Sequence, residues 1–328
     1  MGHLIASTPD DLRWMAAALA LAERGRGRTA PNPNVGCVIV KDGVVAGRGW
    51  TQPGGRPHAE AMALAQAGGA ARGATAYVTL EPCAHGSARG PDCSGALAQA
   101  GIARAVVALT DPDPRTNGKG IARLRAAGVE LETGVLEAEA RRSMAGFLTR
   151  RALGRPQVTL KLGLSLDGCI ALANGESRWI TGPQARAHAH LERARHEAIL
   201  IGRGTLRADA PTLDVRLAGL EARSPRRILL SLHPESGWTS IPAPVNIASL
   251  AGVDHLLVEG GAQAAASFLR ADLVDRLLLY RAPVLLGGKP GLAGLDLTSL
   301  SDAHGRWRLL DSRMLGSDRV EVYERARS

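Results

Sequence analysis

Aromatic side chains are scarce in this sequence: two Phe, three Tyr and five Trp, or 3% of 328 residues. Proteins that hold single-stranded nucleic acid stack its bases on aromatic rings, so this scarcity argues against that class. Lysine is scarce too, since 36 of the 40 basic residues are Arg. The net charge of +9 is not concentrated: residues 1–153 carry 18 basic and 13 acidic side chains, residues 154–328 carry 22 and 18. Charge spread this evenly builds no basic patch. Long hydrophobic runs are absent as well. The longest near the start, Trp14 to Ala22, is nine residues and meets Glu23-Arg24; a spanning helix needs about 20 apolar residues. No charged start, apolar core and cleavage site combine into a signal peptide. A cytoplasmic enzyme is expected, with a small anionic molecule as its partner and neither nucleic acid nor membrane. Four cysteines in a reducing compartment suit metal ligands or buried thiols better than disulfides.

What is present is ordinary globular composition, 45% hydrophobic and 22% charged. At about 150 residues per domain the length suggests two domains. Patterning predicts a helix from Asp10 to Ala22, capped by Thr8 or Asp10. It predicts strands at Val35–Val40 and Val44–Gly49 around an Asp42-Gly43 hairpin signal. Further helices are expected at Ala59–Ala67, Ser94–Ala100, Lys119–Ala127 and Glu137–Arg151, with strands at Thr75–Leu80 and Ala103–Leu109. This alternation defines an α/β layered domain. Arg150 to Pro156 reads as a linker, dividing the chain into 1–153 and 154–328. The second half alternates too: strands at Gln157–Leu164, Ala198–Gly202, Arg227–Leu230, His255–Val258, Arg276–Tyr280 and Arg319–Glu324, helices at Pro183–Arg195 and Ala262–Arg270.

The strongest chemical signal is His58-Ala59-Glu60 followed by Pro82-Cys83 and Cys93. Imidazole and thiolates are ligands that Zn²⁺ prefers, and three of them leave a fourth position for water. Zinc lowers the pKa of such a water toward neutrality. A Glu two residues after the His can shuttle protons without being a ligand, the pattern of the zinc-dependent base deaminases. A closed structural site would need a fourth ligand, for which Cys37 and His85 are candidates, but it would leave Glu60 without a role. Cys37 and Cys169 read as buried thiols. Nine residues separate Cys83 from Cys93, whereas nucleic-acid and nucleoside deaminases have two between their cysteines. The longer loop can reach a substrate.

Longer stretches carry a resemblance: Pro31 to Val40, Pro57 to Ala61, Tyr77 to Gly86, and Asp111-Pro112-Asp113-Pro114 in the first half. In the second half they are Leu160 to Gly168, Gly175 to Thr181, and Val258-Glu259-Gly260-Gly261. Over nearly its whole length the chain resembles the bifunctional riboflavin-biosynthesis deaminase–reductases. The resemblance implies a cytidine-deaminase-like three-layer sandwich over 1–153 and a dihydrofolate-reductase-like α/β domain over 154–328. It implies a zinc deaminase with ligands His58, Cys83 and Cys93 and Glu60 as proton donor. The implied substrate is 2,5-diamino-6-ribosylamino-pyrimidinone 5′-phosphate, with Asn32, His85, Arg89 and Asp111 near it. It implies an NADPH-dependent reductase with cofactor positions at Leu164, Trp179, Thr205, Asp209 and the run Gly261, Ala262, Gln263, Ala264, Ala265, Ala266 and Ser267. The matching substrate positions are Ser177, Arg193, Leu213, Arg216 and Glu259. Arg193 and Arg216 suit a phosphate monoester, which guanidinium can bind through two hydrogen bonds. A homo-oligomer is the expected assembly.

Several positions depart from the family pattern. Thr51 stands where a His is usual, Cys169 where a basic residue is usual, and Leu232 where a Ser approaches the cofactor. Only 26 residues lie between Leu232 and Glu259, where the family has tens more. A monofunctional deaminase with a degenerate second domain is therefore the alternative to weigh. A nucleic-acid base deaminase and a zinc-stabilised interaction protein are more distant alternatives.

Overall fold

The structure is a computed structural model that describes residues 8–86, 90, 92–292 and 294–327. The chain divides into two compact units, Met1–Leu153 and Gly154–Ser328. The first helix, α1 (Pro9–Ala22), starts at a capping box: Thr8 accepts the Asp11 N–H and Asp11 accepts back from the Thr8 backbone. That reciprocal pair satisfies donors a helix start leaves free. The hairpin β1 (Gly36–Lys41) and β2 (Val44–Trp50) turns at Asp42-Gly43, both with positive φ, the conformation a two-residue hairpin turn demands. Next come α2 (Ala59–Ala67), β3 (Thr75–Val78), α3 (Cys93–Gln99), β4 (Arg104–Val107), α4 (Lys119–Ala126) and β5 (Glu130–Thr133). Two short helices, α5 (Glu137–Ser143) and α6 (Ala145–Leu153), close the unit. Sequence patterning predicts one helix there; Met144, at φ −100 and ψ 17, interrupts it.

The five strands order as β2-β1-β3-β4-β5. The first two pairings are antiparallel and the last two parallel. Small residues let helices lie close on this sheet. A Cβ at Gly49 would come 2.3 Å from the Ala59 carbonyl oxygen, and one at Gly47 2.1 Å from that of Ala63. Both glycines therefore seat α2 against β2. The core draws on both sides of the sheet elements, from Met15 and Ala18 of α1 to Leu97 of α3 and Leu124 of α4.

The second unit begins with β6 (Gln157–Leu164), β7 (Cys169–Ala171), α7 (Pro183–Arg193), β8 (Ala198–Gly202) and α8 (Arg203–Asp209). It continues with β9 (Arg226–Leu230), β10 (Thr239–Ile241), β11 (His255–Val258), α9 (Ala262–Arg270), β12 (Arg276–Arg281) and β13 (Lys289–Pro290). The hairpin β14 (Trp307–Leu315) and β15 (Asp318–Arg325) ends it. Eight strands order as β10-β9-β8-β11-β6-β12-β15-β14, and β13 pairs with β7 separately. The strands from β10 to β12 run parallel, and β15 and β14 add antiparallel. Central strands are apolar on both faces, as in Ala198 to Ile201 and Leu256 to Val258, which a parallel sheet covered on both sides requires. Val158, Leu160, Ala265 and Phe268 share its main core.

Candidate metal centre and second pocket

Three element boundaries bring the zinc-type residues together. His58 is the N-cap of α2, Glu60 lies buried in its first turn, and Cys93 is the first residue of α3. Asp92 fixes the start of α3 by accepting the Gly95 N–H at 2.6 Å. Cys83 follows β3 by way of Glu81-Pro82. The ligand atoms of His58, Cys83 and Cys93 lie within 4.8 Å of one another. His58 Nδ1 is 3.3 Å from Cys93 Sγ and 3.7 Å from Cys83 Sγ. Tetrahedral zinc with bonds of about 2.0–2.3 Å sets its ligands about 3.5 Å apart, so the donor set fits that ion. The Cys83 thiol is pulled well down, first by hydrogen bonding to Cys93 and then to His58. A readily ionised thiol is what a metal needs. Burial pushes the Glu60 carboxyl up, which favours a group that carries a proton. Asn32 Nδ2 sits 3.3 Å from His58 Nε2 and donates to the Gly55 carbonyl at 3.2 Å. Cys37 is a free, buried thiol within β1 and is absent from this cluster. The His85 imidazole lies 3.3 Å from the Thr116 hydroxyl, and Arg89 lies outside the described residues.

Glu81 is the residue that sequence reasoning left without a role. Its carboxylate, 3% exposed, accepts backbone N–H groups from Asp111, Gly118, Gly120 and Ile121 at 2.9–3.2 Å. It thereby ties the Cys83 segment to the Asp111 loop and to the start of α4. A Cβ at Gly120 would meet the Pro82 carbonyl oxygen at 2.0 Å, so α4 presses directly on that segment. Asp111 is buried and accepts the Asp113 N–H at 2.9 Å. Burial raises its carboxyl to about 6, with Asp113 and Glu81 adding repulsion. Asp113 in turn takes Arg115 and Arg151. Thr51 is turned to structure: its hydroxyl accepts the Val35 N–H at 3.0 Å.

In the second unit, Glu259 follows β11 and is clasped by Arg193. Arg193 Nε and Nη2 donate to its two oxygens at 2.7 and 2.9 Å, and Nη1 donates to the Asp214 carbonyl at 3.0 Å. Lys161 Nζ stands 3.7 Å from the same carboxylate. The fork proposed for a phosphate is therefore engaged with Glu259, and Arg216, more than half exposed, is the freer guanidinium. Thr205 Oγ1 accepts the Gly261 N–H at 3.0 Å, joining α8 to the start of α9. Along α9, Gln263 is exposed, but Ala264, Ala265 and Ala266 are buried. Those three contribute small size and core packing, with Gly261 and Ala262 at the accessible end. Trp179 is 65% exposed, with Arg186 4.8 Å over its ring. Asp209 meets Arg178, Leu213 is buried, Leu164 is the buried last residue of β6, and Ser177 lies in the loop between β7 and α7. Cys169 donates to Asp167 at 3.4 Å.

A zinc-type deaminase site on the first unit and a reductase-type sheet in the second define a two-part enzyme. Comparison with known proteins agrees. The cytidine and deoxycytidylate deaminase zinc-binding region matches residues 8–109, and the RibD C-terminal domain matches 156–237 and 238–320. The riboflavin biosynthesis protein RibD of Escherichia coli is 41% identical, aligned over 94% of this chain and 97% of that protein. Its namesake from Aquifex aeolicus is 37% identical over 96% and 98%. An Acinetobacter baumannii RibD structure superposes with a TM-score of 0.85 at 37% identity, over 97% of this chain and 99% of that one. A Thermotoga maritima structure described as a diaminohydroxyphosphoribosylaminopyrimidine deaminase/5-amino-6-(5-phosphoribosylamino)uracil reductase gives 0.86 at 30%, over 96% and 99%. The chain belongs to the RibD family and is a deaminase–reductase of riboflavin biosynthesis.

Proposed function

We propose that residues 1–153 deaminate 2,5-diamino-6-ribosylamino-pyrimidinone 5′-phosphate and that residues 154–328 reduce its ribosyl group to ribityl. The observation that carries the reading is the His58, Cys83 and Cys93 cluster with Glu60 buried beside it. Zinc held by these three side chains supplies a water acidic enough to be a nucleophile near neutral pH. With zinc held there, Glu60 would take a proton from the attacking water and return it to the departing amine, so that the ring carbon would gain the hydroxyl and ammonia would leave. Asn32 orients the His58 ring, while His85, Arg89 and Asp111 hold the pyrimidine and its ribose phosphate. Glu81 acts at one remove, by fixing the loops that carry Cys83 and Asp111.

In the second unit NADPH supplies the hydride. The N–H groups at the start of α9 suit a cofactor phosphate, with Thr205 holding Gly261 in place. Leu164, Trp179 and Asp209 border the cofactor. Glu259, held by Arg193 and Lys161, takes the ribose together with Ser177 and Leu213, and Arg216 takes the phosphate. The test offers the diamino-pyrimidine phosphate to the full chain and reads ammonia and NADPH consumption separately. Both signals, ammonia first, are expected. Ammonia without NADPH consumption would refute the second half of the reading, and neither signal in zinc-loaded protein would refute the first.

A further inference from the structure

Arg56 stands two residues before the ligand-type His58, in extended backbone at φ −151 and ψ 151. Its guanidinium reaches the loop between the two cysteines: a Cβ at Gly90 would come 2.9 Å from Arg56 Nη1. The missing side chain at Gly90, whose φ is +147, leaves the room that the guanidinium uses. At most about 11 Å of chain separates Gly90 from Cys93, and about 7 Å separates Arg56 from His58. The guanidinium is therefore held between the segments that end in two of the metal-type ligands. The backbone beneath it is braced against the site. A Cβ at Gly55 would meet Asn32 Cγ at 2.6 Å, the Gly55 carbonyl accepts from Asn32 Nδ2, and the Gln52 N–H donates to the Pro57 carbonyl at 3.0 Å.

Arg56 is half-buried, yet it makes no hydrogen bond or ion pair among the described residues. Other arginines of the first unit are either engaged or in solvent. Arg104, Arg115, Arg123 and Arg151 each pair with an aspartate, while Arg28 and Arg48 are exposed. Asp92, the acidic residue beside Cys93, is taken by Arg123 and by the Gly95 N–H. Thr51 brings no charge to this wall: it is 2% exposed and its hydroxyl accepts the Val35 N–H. Drawing a cation partly out of water without a counter-ion is costly, and a bound anion would offset that cost.

We infer that Arg56 binds the 5′-phosphate of the deaminase substrate and makes the first unit select phosphorylated over unphosphorylated pyrimidine ribosides. The inference rests on the deaminase reading of that unit. A phosphate monoester matches the guanidinium fork through two parallel N–H···O bonds. With the reacting ring carbon at the metal-type cluster, the ribose carries the phosphate outward, to the half-buried edge where Arg56 stands. The phosphate is unchanged by deamination, so Arg56 holds it equally in the ground and transition states. Losing such uniform binding raises KM and leaves kcat alone. Arg56 is thus a specificity residue of the first reaction, and it leaves the chemistry to Glu60.

The experiment uses the zinc-loaded full chain and follows ammonia from the diamino-pyrimidine riboside with and without its 5′-phosphate. Wild type should prefer the phosphorylated form. Arg56→Ala should raise KM for that form at least about tenfold, the scale of a lost charge-assisted hydrogen bond. It should keep kcat, and its kcat/KM on the unphosphorylated form should match wild type. Arg56→Lys, which keeps the charge without the fork, should recover only part of the loss, and Arg48→Ala should change nothing. Inorganic phosphate should inhibit wild type competitively and Arg56→Ala at least about tenfold less well. An unchanged KM in Arg56→Ala would overturn the inference and leave the deaminase reading standing. So would an equal loss on both substrates, or a fall in kcat at constant KM, either of which would make Arg56 a structural residue. No ammonia from either substrate with wild type would overturn the deaminase reading and this inference with it.

Discussion

Replacing Glu259 with Gln tests the second pocket at its most charged point. The carboxylate is 7% exposed, beside Arg193 and Lys161 at 14% and 23%. It is clasped by Arg193 through both oxygens. Although burial opposes ionisation, Lys161 and Arg193 outweigh it and bring the Glu259 carboxyl from 4.5 to about 2. That difference is worth about 3 kcal/mol at neutral pH. Breaking one side of a buried pair costs about 3–5 kcal/mol by general experience, so the two routes agree. The direction with pH follows from linkage. A depressed carboxyl stabilises the fold fully above its unfolded value of 4.5 and loses that stabilisation as pH falls toward about 2. Each pH unit below 4.5 should therefore close the gap between wild type and Glu259→Gln by about 1.4 kcal/mol.

The assay is urea unfolding of the full chain at pH 7, 5 and 3.5, with the first unit's transition as an internal reference. Trp238, packed against Ile199, Ile201 and Leu229, reports on the second unit. The expected gap is about 3 kcal/mol at pH 7 and 5 and smaller by about 1.4 kcal/mol at pH 3.5. A gap of equal size at pH 7 and 3.5 would show that the lost interaction is not ionic. No gap at pH 7 would show that the Arg193 clasp is not stabilising.

Three further outcomes are expected. Purified protein should hold one zinc per chain by elemental analysis; Cys83→Ser should lose it, while Glu60→Gln should keep it and deaminate at least about a hundredfold more slowly. Glu81→Ala leaves four backbone donors without their acceptor and should lower the stability of the first unit by at least about 3 kcal/mol, with weaker zinc retention in a chelator competition. Asp111→Asn should do the opposite in a pH-dependent way. Because burial raises Asp111 from 3.8 to about 6, the native fold penalises its charged form. The aspartate's relative stability is full below 3.8 and lost as pH rises through about 6, so Asn should stabilise by up to about 3 kcal/mol at pH 8 and by nothing at pH 3. Denaturant melts at the two pH values decide it.

The metal cluster was legible because zinc restricts its ligands to few residue types and their order along the chain is readable. Glu81 was not. A Glu satisfied by backbone N–H groups 30 to 40 residues away looks, in sequence, like any surface Glu. Arg193 shows the converse. Its type suited a phosphate, but only the structure places Glu259 against its fork. Among the elements, apolar strands such as Ala198–Gly202 and His255–Val258 were readable at their full length. The strands that patterning missed are polar or very short. Glu130–Thr133 reads Glu-Leu-Glu-Thr at a sheet edge, and β14 interrupts its apolar residues with Arg308, Asp311, Ser312 and Arg313. An edge strand half open to water needs no apolar run, so period and hydrophobicity do not mark it.

The shortened stretch before Glu259 bears directly on whether the second pocket is intact. The match to the RibD C-terminal domain breaks between residues 237 and 238. That point falls in the link from β9 to β10, parallel neighbours joined by residues 231–238 alone. A parallel crossover ordinarily takes a dozen residues or more. Here Arg203 pins the short link: its guanidinium donates to Ser231 Oγ at 2.8 Å, to the His233 carbonyl at 2.7 Å and to Glu235 at 3.0 Å. Trp238 anchors the far end, with Arg227 5.0 Å over its ring. β10 is the outer edge of the sheet, and β9 and β8 separate it from β11. The Glu259 N–H reaches the Leu200 carbonyl at 2.9 Å, and the Gly261 N–H reaches Thr205. Leu232, on that link at the margin of the sheet, is 80% exposed. Cofactor contacts made there are the ones at risk, while the groups around Glu259 keep their places. Weak cofactor affinity with an unimpaired hydride step is the kinetic signature that this division of the pocket predicts.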